Sequence, residues 1–265
     1  MKEDVLISVI MGIHNGKERC DMAINSILQQ TYSNWVFIIC DDGSTDGSYE
    51  YLKNKYGHNS KFRIIKNKRN IGLAATLNHC LKYSEGEVIA RMDDDDISYS
   101  NRFERQLKFL KKHPEISFVS SSIDLFDGKK LVGQRILKRR PQKKDLIWNS
   151  PFVHPATMFR SKDLKEMNGY RIAPETIRGQ DYDLFMRMYG RGFYGANLHT
   201  PVYRFTVDDN NLKRRTFKAR LGEVKIRRYG YKAMGIMPLA APMIIKPLIA
   251  YFVMGLRNCF KKRGY

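Results

Sequence analysis

Four consecutive carboxylates, Asp93 to Asp96, close a segment that begins with the apolar run Val88-Ile89-Ala90 and passes through Arg91 and Met92. Adjacent like charges repel, so the stretch predicts a cation, and a hard divalent ion is a natural guest of carboxylate oxygens. Such an ion would carry a phosphorylated substrate. A second polar turn, Asp41-Asp42-Gly43-Ser44-Thr45-Asp46-Gly47, has good Asx-turn chemistry and follows another apolar run. Taken alone, either segment could be an ordinary solvated turn, or acids favoured at a helix N-terminus.

The elements around these turns decide where they lie. Val5 to Met11 is a nearly continuous, β-branched run of the kind found in strands buried on both faces, and Gly12 and Asn15-Gly16 are read as its end. Met22, Ala23, Ile24, Ile27 and Leu28 recur at helical spacing, and this helix should end near Gln30-Thr31. The unit repeats as a strand over Trp35 to Cys40 and a helix over Ser48 to Tyr56. A strand over Phe62 to Lys66 and a helix over Leu73 to Tyr83 follow, and a fourth strand, Glu87 to Met92, empties into the aspartates. Alternating strands and helices predict an α/β, Rossmann-like, mostly parallel sheet with helices on both faces. In such sheets ligands bind outside the carboxyl ends of the strands, where the Gly12 to Asn15, Asp41 to Asp46 and Asp93 to Asp96 loops all fall.

After Tyr99 the rhythm changes. A helix marked by Phe103, Leu107 and Leu110 ends before Pro114, and two longer strands, Ile116 to Phe126 and Leu131 to Ile136, flank Asp127-Gly128. A basic loop runs from Lys138 to Lys144, a strand is expected over Ala156 to Arg160, a helix over Asp181 to Met188, and a last strand over Val202 to Phe205. This half should extend the same sheet.

The formal charge of +20 is concentrated at one end: from Asn211 onward fourteen Lys and Arg face the single acid Glu223. That balance suggests a polyanionic surface, either nucleic acid or anionic lipid. Ala233 to Leu256 is strongly apolar but contains Pro238, Pro242, Pro247 and a central Lys246. A lysine at mid-membrane costs roughly 2.5 to 3.5 kcal/mol to insert, so an in-plane or re-entrant segment with basic anchors is favoured over a true span. Cys20, Cys40, Cys80 and Cys259 show neither a CxxC pair nor a dense framework and read as buried free thiols. Glu3 and Asp4 precede a short first apolar run, so no secretory signal is expected.

Five segments in order carry a resemblance: Ser8-Val9-Ile10-Met11 with Asn15; Cys40 to Asp46; Asn70-Ile71-Gly72-Leu73; Ala90 to Asp96; and Gln180-Asp181-Tyr182-Asp183-Leu184. Together they look like the successive motifs of family 2 glycosyltransferases with the GT-A fold, over roughly residues 5 to 205. The resemblance implies inverting transfer of a sugar from a nucleotide diphosphate sugar. It places the donor among Ile13, His14, Asn15, Asp42, Asn70, Gly72, Arg91, Asp93 and Asp94. His14 stands where the family commonly has a tyrosine; an imidazole can stack on a base, and Asp42 could accept a uracil imide N–H. The family's DxD motif maps onto Asp93 and Asp95, which makes Asp95 the direct ligand of Mn²⁺ or Mg²⁺, with Asp93 also near the ribose, Asp94 beside the donor sugar, and Asp96 a structural residue.

Asp181 matches the aspartate of the family's acidic pair and becomes the candidate base toward the acceptor hydroxyl, with Asp183 an ordinary surface acid. Gln180 departs from the usual glutamate, and Thr206 in Tyr203-Arg204-Phe205-Thr206 departs from the usual histidine, which removes one expected metal helper. His154-Pro155 matches an element near the acceptor cleft.

The implied organisation is a glycosyltransferase domain over residues 1–210, with a nucleotide-sugar half at 1–97 and an acceptor half at 98–210, followed by a membrane-associating region at 211–265. The expected partners are a nucleotide-sugar donor, a glycan or lipid-linked acceptor and an anionic membrane surface. The enzyme would work in surface polysaccharide or lipopolysaccharide assembly, cytoplasmic and peripheral to the inner face of the cytoplasmic membrane. Three other readings compete. A nucleic-acid-binding protein would interleave aromatics with its basic residues and would not carry so acidic a loop edge. A nucleotidyltransferase would show a longer glycine-rich basic loop after the first strand than Gly12-Ile13-His14-Asn15-Gly16. A sugar-nucleotide-binding relative with impaired catalysis is the reading that Gln180 and Thr206 support.

Overall fold

The computed structural model describes residues 4–207 and 216–253. Its contacts divide into two compact units, one built from residues 1–141, 151–170 and 193–207, the other from 142–150, 171–192 and 208–265. In the second unit, residues 216–253 group with two internal segments, 142–150 and 171–192.

The first unit holds both sheets. Strands β1 (Ile7–Ile13), β2 (Trp35–Asp41), β3 (Phe62–Lys66) and β4 (Val88–Arg91) form the expected parallel half. Their alternation with helices α1 (Cys20–Leu28), α2 (Ser48–Tyr56) and α3 (Leu73–Lys82) follows the hydrophobic periodicity of the chain. A two-residue strand, β5 (Ile97–Ser98), and helix α4 (Arg102–Lys112) follow, then β6 (Ile116–Ser121), β7 (Ile123–Phe126) and β8 (Leu131–Arg135). Strands β9 (Met158–Arg160), β10 (Tyr194–Leu198) and β11 (Tyr203–Thr206) complete the unit. The main sheet has the order β10-β6-β9-β4-β1-β2-β3, and a second one the order β5-β11-β7-β8. Only β9 runs antiparallel in the main sheet, against β4 and β6.

Every residue of β4 and β6 and nearly every residue of β1 and β2 is buried, so both faces of the sheet are covered. Each fully buried Ile or Phe on these faces contributes about 1.5 to 3 kcal/mol, which is why continuous apolar runs rather than alternating ones mark these strands.

Two boundaries differ from the sequence reading. β1 runs through Gly12 to Ile13, paired in register with Asp41 of β2, because glycine leaves room there for Leu73 and Thr76 of α3. The single strand expected over Ile116 to Phe126 breaks at Ser122 and its halves join different sheets. Ser122 is fully buried; its N–H donates to the Leu198 carbonyl at 2.9 Å and its Oγ accepts from Leu137 N at 3.0 Å. Its polar groups are therefore satisfied outside a regular ladder, and β7 can turn away to pair with β11 and β8. The second half of the chain thus extends the main sheet and also builds a second one.

The second unit is helical. α5 (Asp145–Trp148) is a single turn, α7 (Gln180–Gly190) buries Leu184, Phe185, Met188 and Tyr189, and α8 (Phe217–Ala233) buries Ile226, Arg227, Gly230 and Tyr231. α6 (Ser161–Glu166) belongs to the first unit. Arg227, read from sequence as part of a basic lipid-facing tail, is 1% exposed. Its guanidinium donates to the carbonyls of Ile147 and Trp148, to Tyr231 Oη and to Glu223. That arginine is a core brace, while Lys213, Arg214, Arg215, Arg257, Lys261, Lys262 and Arg263 lie outside the described residues. No helix among the described residues is long and apolar enough to cross a membrane. After Ala233 the chain forms short helical pieces at Met237–Ala240 and Ala241–Ile244 and is helical again over residues 246–253. Cys20, Cys40 and Cys80 are buried free thiols, as expected; Cys259 lies outside the described residues.

Candidate active site

Parallel pairing brings four loops of the first unit to the carboxyl edge of β1, β2, β3 and β4. Side chains lock them to one another. Asn15 N donates to Ser44 Oγ at 2.9 Å, and Asn15 Oδ1 accepts from Thr45 N at 2.9 Å. Asp46 accepts from Lys17 N at 3.1 Å and from Ser48 N at 3.0 Å. Gly43, with φ of 69°, passes so close to the next loop that an added Cβ would lie 2.5 Å from the carbonyl carbon of Arg69. Only glycine fits this crossing.

Asp42 is buried, with both carboxylate oxygens engaged. Oδ1 accepts from Asn67 Nδ2 and Ile71 N, and Oδ2 from Gly72 N, each at 2.9 Å. It therefore fixes the Asn70-Ile71-Gly72 loop, and Oδ2 keeps one lone pair for a further donor. Asn70 and His14 are exposed at this edge, and Asn70 Oδ1 also accepts from Gly72 N. Ile13 is 1% exposed and packs in the core, so at this edge it offers only its main chain.

The four aspartates have four different environments. Asp93, Asp95 and Asp96 place ligand oxygens within 4.8 Å of one another. Asp94 turns away, and its Oδ2 accepts from Arg19 Nε at 3.1 Å and Nη2 at 2.8 Å. The same guanidinium donates to the carbonyls of His14 and Asn15 and so ties the first loop to the aspartates. Arg91 is fully buried and ion-paired with Asp93, while its Nε meets no hydrogen-bond partner among the described residues. Burial, reinforced by Asp93 and Asp94, pushes the Asp95 carboxyl up to about 6. Burial with Asp93 and Asp95 pushes Asp96 well above the carboxylate range. Crowded hard oxygens whose charge is so costly fit a hard divalent cation. Asp96, expected to be purely structural, does accept from Thr206 N at 2.7 Å, yet it also belongs to this oxygen cluster.

Thr206, where a histidine helper was missed, braces the loop instead: its Oγ1 donates to the Asp95 carbonyl. Beneath them Tyr203 Oη accepts from Asp93 N at 3.3 Å, and the buried Arg102 donates to the Arg91 carbonyl at 2.8 Å. Arg102 has no carboxylate ion-pair partner among the described residues, and burial lowers its guanidinium to about 10. Sequence reasoning missed Arg19, Thr206 and Arg102 in these roles. Their partners lie 75, 111 and 11 residues away, and nothing near them in the chain points to those contacts.

His154, expected near the acceptor cleft, lies buried in the first unit. It is 5% exposed, its Nε2 meets Tyr170 Oη at 2.8 Å, and burial holds its imidazole well below the usual range. In the second unit, Asp181 sits half-buried in the first turn of α7 behind Gly179, a left-handed residue with φ of 87°. Asp183 is not a surface acid: it is 2% exposed, held by Arg171 at 2.9 Å and Arg187 at 2.7 Å.

The family pattern described as glycosyl transferase family 2 matches residues 8–167. This chain belongs to glycosyltransferase family 2. It is an enzyme of the transferase class. A putative glycosyltransferase, EpsE of Bacillus subtilis (strain 168), is 37% identical over 248 residues, covering 93% of this chain and 89% of its own length. An Escherichia coli family relative named UDP-Gal:alpha-D-GlcNAc-diphosphoundecaprenol beta-1,3-galactosyltransferase is 27% identical, covering 97% of this chain and 94% of its own. Among solved structures, the mannosyltransferase PcManGT from Pyrobaculum calidifontis, in complex with GDP-Man and Mn²⁺, superposes with a TM-score of 0.65. It shares 17% identity, over 93% of this chain and 75% of that one, and the likeness shows the GT-A fold.

Proposed function

We propose that this glycosyltransferase moves a sugar with inversion from a UDP-sugar to a lipid-linked saccharide in surface polysaccharide assembly. The observation that carries the reading is the cluster of Asp93, Asp95 and Asp96 oxygens within 4.8 Å, set beside the loops braced by Asn15 and Asp42. The E. coli relative supports the donor and acceptor classes through its name, and the Mn²⁺ complex supports the metal.

In this reading Asp95 and Asp93 hold Mn²⁺ or Mg²⁺, with Asp96 beside them, and the ion when bound neutralises charge on the departing diphosphate. His14 and Asp42 receive the base, the Asn70-Gly72 loop lines the nucleotide, and Asp94 is steered by Arg19 toward the donor sugar. Arg91 fixes the position of Asp93 from below. Asp181 accepts the proton of the acceptor hydroxyl as its oxygen bonds to the anomeric carbon. The bond from that carbon to the diphosphate oxygen breaks, and the nucleoside diphosphate leaves with the electron pair.

The enzyme works on the cytoplasmic side, held peripherally on anionic lipid. Exposed Leu239, Ile249 and Phe252 together with exposed Lys225, Arg228 and Lys232 in the second unit support this, each basic residue near the surface contributing about 1 kcal/mol. The deciding experiment offers the protein a panel of nucleotide sugars with and without Mn²⁺ and measures nucleoside diphosphate release. Release from one UDP-sugar that requires Mn²⁺ and is lost in Asp95→Asn is expected. Tight DNA binding with no response to any nucleotide sugar would overturn the reading.

A further inference from the structure

The Asp42 carboxylate has a fixed hydrogen-bonding capacity, and its neighbours use most of it. A carboxylate offers about four acceptor positions, two on each oxygen. Oδ1 accepts from Asn67 Nδ2 and from Ile71 N, both at 2.9 Å, and is full. Among the described residues Oδ2 accepts only from Gly72 N, at 2.9 Å. Space is open on the Gly72 side, where an added Cβ would meet nothing within 4 Å. Asp42 can therefore show a nucleotide base one acceptor atom, not two.

Asn67 is the side chain that closes the other oxygen, and its own orientation is set from behind. It lies 6% exposed just past the end of β3, where its N–H donates to the Asp41 carbonyl at 2.8 Å. Because Asp42 Oδ1 acts as an acceptor, the amide turns its NH₂ toward it, and the second N–H reaches Thr76 Oγ1 at 3.1 Å. The amide oxygen then faces His79 Nδ1 at 2.7 Å, which places an imidazole proton on that nitrogen. Cys40 Sγ, 3.6 Å from the same Nδ1, is the weaker contact. Thr76 and His79 both belong to α3, so one helix holds the amide at both ends. His79 thereby keeps Asn67 from rotating its oxygen toward Asp42, where two acceptors would repel.

We propose that Asn67, oriented by His79, is a specificity-determining positioning residue that restricts this site to a base with an imide edge, such as uracil, and excludes guanine. The inference rests on the base contact of Asp42 proposed above and assigns its selectivity to the residues behind that carboxylate. An imide edge brings one N–H between two carbonyls, and one acceptor satisfies it. Guanine brings two parallel donors, N1–H and the 2-amino group, and matches a carboxylate only when both oxygens are available. Here its second donor would lie against a filled Oδ1 and stay unpaired, a loss that binding sites turn into discrimination. Cytosine fails for another reason. It points the N3 acceptor at the carboxylate, so freeing Oδ1 does not help it.

The test is calorimetric binding of UDP, GDP and CDP to the full chain in the presence of Mn²⁺. The wild type should bind UDP about tenfold or more tightly than GDP, the scale of one unpaired buried donor. Asn67→Ala, which releases Oδ1, should lower that UDP-over-GDP ratio about fivefold or more while CDP stays excluded. His79→Phe should lower the ratio in the same direction, and His79→Gln, which keeps a donor for the amide, should restore it. The ratio is read within one variant, so a loosened loop that weakens every nucleotide alike does not imitate the effect. If Asn67→Ala does not fold, the two His79 variants carry the test, since they leave Asn67 in place. An unchanged ratio in the folded variants would overturn the proposal and leave the nucleotide-sugar reading standing. A parallel gain of GDP and CDP would overturn it too, because it would mean a widened pocket rather than a freed acceptor. Absence of binding by any of the nucleotides would instead sink the nucleotide-sugar reading itself, and this proposal with it.

Discussion

Arg19 and Asp94 join two loops 75 residues apart through a pair of hydrogen bonds to a single carboxylate oxygen, Oδ2. Asp94 is thereby separated from its three neighbours, and Gly16 is held against it so closely that an added Cβ would come within 2.4 Å of that same oxygen. Arg19 is about half-exposed, so the pair is worth more for placement than for stability. Arg19→Ala should leave the melting temperature nearly unchanged and weaken nucleotide-sugar binding about tenfold, an effect of ~1.4 kcal/mol. Calorimetric titration of the donor reads it directly; unaltered affinity would show that the pairing has no part in donor recognition.

The oxygen cluster predicts that Asp95→Asn lowers Mn²⁺-dependent turnover by about 10²- to 10³-fold, the scale for removing one electrostatic stabiliser of a developing anion. Asp96→Asn should also impair turnover, because Asp96 both orders Thr206 and adds an oxygen to the cluster. Chelation by EDTA should abolish transfer, and added Mn²⁺ should restore it in the wild type but not in Asp95→Asn. Turnover by Asp95→Asn at the wild-type rate would exclude Asp95 as a ligand.

Two acids on one helix should respond in opposite ways. Asp183→Asn strips a buried carboxylate from Arg171 and Arg187 and should cost about 3 kcal/mol of stability, seen as a lowered urea midpoint. Asp181→Asn should act on turnover, reducing kcat by about 10²- to 10⁴-fold with donor affinity intact. A kcat equal to wild type would remove Asp181 from the role of base.

His154 predicts an acid-sensitive fold. Burial, with Arg91 nearby, holds its imidazole neutral well below the ordinary pKa, whereas the unfolded chain takes up a proton near about 6.5. Below that pH the unfolded state binds more protons, so stability falls as pH drops, by up to about 1.4 kcal/mol per unit, until the depressed folded pKa is reached. Urea midpoints at pH 7.5, 6.0 and 5.0 should show a steeper decline for wild type than for His154→Gln. Parallel slopes would mean that His154 is already protonated in the folded protein.

Arg102 should prove essential to the site's foundation. It is fully buried, holds the Arg91 carbonyl at 2.8 Å, and lies 5.0 Å from the Tyr203 ring centre. Arg102→Met removes those donors and should cost about 2 kcal/mol or more by leaving the carbonyl unpaired. Thermal unfolding with and without Mn²⁺ measures it; a wild-type melting temperature in both conditions would contradict this account.

Much of this enzyme was legible in the sequence because the signals are local. Buried parallel strands need continuous apolar runs, so β1, β2 and β4 and the loops that follow them could be placed at one sheet edge from residues such as Val9, Ile38 and Ile89 alone. The acids of Asp93 to Asp96 announced a cation by proximity along the chain. What each acid does was decided only in three dimensions. Asp94 goes to Arg19, Asp96 to Thr206 and Asp183 to Arg171 and Arg187, and the break at Ser122 depends on Leu198 and Leu137. The basic C-terminal region shows the same limit, for Arg227 has the composition of a lipid anchor and the environment of a core residue. Periodicity tells which face of an element is apolar, but a buried charge takes its role from whichever carbonyl or carboxylate the fold brings within about 3 Å.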